Sequence, residues 1–91
     1  MALDEIKNNE AIELVNKYLA EQNNDKALSA VNKLLDRDPS NDKAWLYLGI
    51  VNRRIGKLDV AIKSFETATE LNSTLIEAWG LLTITFLDNR T

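Results

Sequence analysis

Along most of this chain the apolar positions recur every three or four residues, and short polar breaks interrupt them. From about Asp4 to Ala20, the residues Ala11, Leu14, Val15 and Tyr18 fall at i, i+3, i+4 and i+7, which puts them on one stripe of a helix. The polar cluster Gln22-Asn23-Asn24 ends that pattern, and Asn24 is expected to cap a second helix over about Asp25 to Asp36. The apolar face of this second helix is Ala27, Leu28, Val31, Leu34 and Leu35. Proline disfavours helical geometry in the residue before it, so Asp38-Pro39-Ser40-Asn41 reads as a turn. A third helix, about Asp42 to Ile55, carries Trp45, Leu48, Gly49 and Asn52 on one side, and Gly56 supplies a left-handed stop. The fourth runs from Leu58 or Asp59 to Leu71 with Ala61, Ile62, Phe65, Ala68 and Leu71 inward. Thr74 and Glu77 have capping-box spacing and are expected to open a fifth helix reaching nearly to Asn89. The pattern therefore predicts an all-α chain of five helices.

The helices are not independent of one another. Trp45 recurs as Trp79, 34 positions later, and the same interval relates Leu14 to Leu48 and Leu82, and Ala27 to Ala61. A fixed period of this length is the mark of a repeat array. The run Trp45-Leu46-Tyr47-Leu48-Gly49, followed by Ala61 and Phe65, resembles the tetratricopeptide repeat (TPR), a helix–turn–helix unit. The resemblance implies a solenoid of antiparallel helix pairs forming a single domain over residues 1–91. Its units would be 8–41, 42–75 and a half unit, 76–91. In the middle unit Gly49 and Ala61 are small where two helices must approach, and Trp45 and Phe65 fill the space beside them. The outer units depart from the pattern. Ala11 stands at the tryptophan place and Val15 at the glycine place of the first, and Thr83 at the glycine place of the third. Terminal repeats have one neighbour rather than two and are commonly atypical.

The resemblance also implies a function class, a non-catalytic adaptor or scaffold that binds protein in a concave groove lined by the first helix of each pair. Helical angle places Ile12, Asn16, Leu46, Tyr47, Ile50, Arg53, Arg54, Leu81 and Ile84 on that side as candidate partner contacts. A groove so lined suits an apolar or amphipathic segment. Some TPR domains hold the acidic tails of chaperones in a basic carboxylate clamp. The clamp's places are taken here by Ile12, Asn16, Tyr47, Glu77 and Leu81. Of these only Asn16 fits, and Glu77 would repel a carboxylate. Chaperone-tail docking is therefore not expected. The fifth helix has apolar residues on two sides, Trp79, Leu82 and Phe86 against Leu81, Ile84 and Leu87. An alternative reading is a self-assembling helical unit, a homodimer for instance, with Leu81, Ile84, Phe86 and Leu87 at the interface.

Composition narrows the chemistry. The net charge is −3, from 14 acidic and 11 basic residues, and the basic residues are dispersed, which argues against nucleic acid. There is no cysteine and no histidine, so thiolate and imidazole chemistry are excluded and no cofactor or metal is expected. Glu66 and Glu70 are spaced as paired carboxylates but belong to the solvent side of the fourth helix. The adjacent Arg53 and Arg54 suit either a partner's anionic group or the negative end of their own helix. No apolar run reaches the roughly 18 residues of a membrane span. Met1-Ala2-Leu3-Asp4-Glu5 lacks the basic region of a secretory signal, so a cytoplasmic protein is the expectation.

Overall fold

In the computed structural model, residues 3–90 are described, and five helices follow one another in chain order. They are α1 (Leu3–Ala20), α2 (Asn24–Arg37), α3 (Asp42–Arg54), α4 (Leu58–Leu71) and α5 (Ile76–Arg90). The expectations resting on Met1 and Ala2, and the last position of the third unit, Thr91, lie outside the described residues.

The chain stops and restarts each helix with local polar groups. The Asn23 side chain, one residue before the expected Asn24, accepts from the Lys26 amide at 3.2 Å and caps α2. The Asn41 side chain does the same for α3, accepting from the Ala44 amide at 3.0 Å. Past α3, Gly56 adopts φ +86°, the left-handed geometry that a residue with a Cβ resists. The capping box expected at α5 does not form. Both the amide and the hydroxyl of Thr74 donate to Asn72 Oδ1, at 3.1 and 2.6 Å, so Thr74 closes a turn instead. The first intrahelical bonds of α5 run to the Leu75 carbonyl, from the amides of Ala78 and Trp79.

Successive helices pair antiparallel, α1 with α2 and α3 with α4, and α5 packs on α4. Two buried clusters result, and α3 contributes to both. Val51 of α3 joins Val15, Leu19, Ala27 and Val31 of the first pair. Leu46, also of α3, joins Ala61, Phe65 and Ala68 of α4 and Ala78 of α5. Each core thus joins one pair to the next, which makes the fold a stack rather than a closed bundle. The α1 stripe differs from expectation at two positions. Leu14 is 41% exposed, whereas Leu19, outside the expected stripe, is buried. Val15 and Leu19 of α1 instead join Ala27 and Val31 of α2 and Val51 of α3 in one buried cluster.

Two sets of polar contacts repeat with the 34-residue period. The Trp45 indole donates to the Pro39 carbonyl at 2.8 Å and the Trp79 indole to the Ser73 carbonyl at 2.9 Å. Asn8 Nδ2 donates to Asp38 Oδ2 at 3.0 Å, and Asn72 Nδ2 donates to Asp42 Oδ2 at 2.8 Å. In the second pair the amide and the carboxylate have exchanged places, and the bond survives.

The tightest approach lies at Gly49. A Cβ there would meet the edge of the buried Phe65 ring, 2.6 Å from Cδ1. Gly49→Ala is therefore predicted to lower the unfolding free energy by about 1–3 kcal/mol, and Phe65→Ala by about 3–5 kcal/mol, read from urea unfolding midpoints. Because the two groups are in contact, Gly49→Ala combined with Phe65→Leu should cost less than the sum of the single changes.

Candidate binding surface

The first helices of the successive pairs are α1, α3 and α5, and two arginines join them near their C-terminal ends. Arg54 Nη1 donates to the Leu19 carbonyl on α1 at 2.9 Å. Arg53 reaches the other way, from Nε to Thr85 Oγ1 at 3.0 Å and from Nη2 to Asp88 Oδ2 at 2.6 Å, both on α5. Each guanidinium has five N–H donors, and these bonds use two on Arg53 and one on Arg54. The pair expected as polar anchors thus holds the three first helices in line.

The other candidates divide by burial. Leu46 is only 3% exposed and belongs to the core between α3, α4 and α5, so its side chain is covered by its own chain. Leu81 is partly buried against the same core. Tyr47 and Ile50 are half-buried: Tyr47 rests on the first cluster, and Ile50 lies against both. Ile12 is half-buried, Asn16 is exposed and Ile84 is 50% exposed. Leu46 departs from its expected place on the open side because helical angle alone cannot tell a concave wall from the seam between neighbouring first helices.

Six residues remain at least partly open along this side and they are graded. Glu13, Tyr47 and Leu81 occupy equivalent positions of the three units, as do Asn16, Ile50 and Ile84. Polar residues line the α1 end, and apolar ones the α3 and α5 end. Two open clefts lie elsewhere, one between α4 and α5 and another beside Leu14 and Tyr18 on the outside of the first pair.

Thr85 has no place among the sequence-predicted residues. It is fully buried and its hydroxyl receives the Arg53 bond. The signal is present in the register, since Thr85 stands where Val51 stands one unit earlier, and Val51 is fully buried too. Asn52 is also buried, and its amide donates to the Leu48 carbonyl one turn back at 2.8 Å.

The comparisons with known proteins agree with this geometry. A family model described as tetratricopeptide repeat matches residues 12–75. Protein bimA of Emericella nidulans is 38% identical over 56 residues, which is 62% of this chain but 7% of that protein's length. Among solved structures, the first TPR of Spaghetti (RPAP3) bound to the HSP90 peptide SRMEEVD superposes with a TM-score of 0.81. It is 23% identical, and the match covers 85% of this chain and 61% of that one, so the likeness bears on the fold. Among the described residues, no helix is long and apolar enough to cross a membrane.

The Arg53–Thr85 bond is part-buried, whereas Arg53 and Asp88 are 33% and 52% exposed, so the two should differ in weight. A double-mutant cycle on Arg53→Met and Thr85→Val is predicted to give a coupling of about 1 kcal/mol. Asp88→Asn should cost under about 1 kcal/mol and lose its effect in high salt. Zero coupling between Arg53 and Thr85 would mean that the bond holds nothing in place.

Proposed function

The chain belongs to the tetratricopeptide repeat family, and from that premise we propose that it is a non-catalytic protein-interaction module whose α1–α3–α5 side receives a peptide segment. The observation that carries this reading is the half-covered state of Tyr47 and Ile50. Both are large, both sit in the middle of the strip, and their own chain covers only part of each. Ile84 on α5 extends the apolar surface on one side, while Glu13 and Asn16 make the α1 side polar.

The ligand's chemistry follows from the grading of the strip. Apolar anchors would lie toward α3 and α5, and a polar or hydrogen-bonding end toward Glu13 and Asn16 on α1. An amphipathic helix or an extended segment with two or three apolar side chains fits that order. Arg53 and Arg54, with donors beyond those their internal bonds use, stand at the edge as polar contacts. The Spaghetti (RPAP3) domain holds an HSP90 peptide, which favours a peptide as the ligand class for a fold of this shape. Its acidic sequence does not suit this chain. Ile12, Tyr47 and Leu81 offer no charge to a carboxylate at the clamp's places, and Glu77 opposes one.

The test is selection from a displayed library of random peptides, followed by titration of the best binder. Selected peptides should carry apolar residues at two or more fixed positions and lack an acidic C-terminal pattern. Ile50→Asp and Tyr47→Ala should each weaken binding at least tenfold, while Glu70→Gln on the far side of α4 leaves it unchanged. Binders that keep full affinity for both groove variants, with helicity intact by circular dichroism, would place the ligand elsewhere.

A further inference from the structure

The α1–α3–α5 side continues past its graded middle at both ends, and the repeat makes the two ends comparable. Toward the helix N-termini the equivalent places are Asn9, Lys43 and Glu77, and toward the C-termini they are Ala20, Arg54 and Asp88. All six are exposed. Each lies one helical turn from the places of Tyr47 or Ile50, so the charged ends and the apolar middle share one stripe. At either end that stripe is neutral on α1, cationic on α3 and anionic on α5. Between the ends, Tyr47, Ile50, Leu81 and Ile84 carry no charge.

At the C-terminal end the cation and the acid are joined through Arg53, the neighbour of Arg54. The buried Thr85 hydroxyl accepts from Arg53 Nε at 3.0 Å, and this holds the guanidinium with Nη2 on Asp88 Oδ2 at 2.6 Å. A carboxylate is what an arginine on a binding surface commonly takes from its ligand. Here α5 supplies one from within the chain. The side chains of this pair are 33% and 52% exposed, so the bond adds little to stability. Its larger consequence falls on whatever approaches from solvent.

We infer that Asp88 sets the charge of the ligand: it occupies Arg53 in place of a ligand carboxylate and, with Glu77 at the other end, excludes acidic segments. The ligand class is then an apolar-centred segment without an acidic residue at its flanks, an inference that rests on the peptide-binding reading above and deepens it. Two effects act together. A tethered carboxylate competes at an effective concentration on the order of millimolar, above that of a free peptide. A second carboxylate about 5 Å from Asp88 is also repelled, which costs about fourfold in affinity even at the dielectric constant of water. The arginine donors left over suit neutral acceptors such as peptide carbonyls.

The test runs the selection from random displayed peptides in parallel on the native chain, on Asp88→Asn, and on Asp88→Asn combined with Arg53→Met. Native helicity is checked for each by circular dichroism. Peptides taken by the native chain should be poor in Asp and Glu. Those taken by Asp88→Asn should gain an acidic residue at one fixed position, and the gain should vanish when Arg53→Met is added. One such peptide is then titrated with Glu and with Gln at that position. The native chain should prefer the Gln form at least threefold, and Asp88→Asn should abolish or reverse the preference. A merely structural role for Asp88 would change both affinities alike and leave their ratio intact. An unchanged ratio, or an acidic gain that survives Arg53→Met, would overturn the inference while binders sensitive to Ile50→Asp keep the strip as the binding surface. Binders indifferent to Ile50→Asp would overturn both.

Discussion

A helix with apolar side chains on two sides cannot be satisfied by a single partner, and α3 is such a helix. Val51 faces the α1–α2 pair, while Leu46 faces α4 and α5, and each is at the centre of a separate buried cluster. The architecture follows from this demand. One pair must be stacked on the next, the helices of a pair must approach closely enough for Phe65 to lie over Gly49, and every core is shared between neighbours. Energetically such a stack is a sum over units and seams, so the middle is held from both sides and the ends from one.

The polar contacts keep the stack in register without adding much to its stability. The indole bonds of Trp45 and Trp79 tie α3 and α5 to the loops before them. The Asn–Asp bonds tie the start of a first helix to the end of its partner, and the arginine bonds tie first helix to first helix. With these directions fixed, the side chains left over on the α1–α3–α5 side form a strip whose polarity changes from Glu13 to Leu81. A fold of this family supports a protein-interaction module.

Much of this is legible in the chain because a repeat states its structure more than once. The tryptophan interval, Gly56 after α3, and the alanines and phenylalanine of α4 each predict what is observed. Sequence is a weaker guide where the answer depends on which neighbour a residue meets. Leu46 and Leu19 lie at angles that could face either a groove or an adjacent helix, and only the packing of α3 and α5 distinguishes the two. Thr74 has capping-box spacing, yet its hydroxyl donates to Asn72 Oδ1 in the turn before the helix. Thr85 passes for a surface residue because threonine is polar. Its burial shows in its register with Val51 rather than in its type.

Residue-resolved amide hydrogen exchange under native conditions tests the stacking picture most directly. Protection should be greatest in α3 and α4, fall through α2 to α1, and be low in α5. Equal protection of all five helices, as in a closed bundle with one shared core, would contradict it.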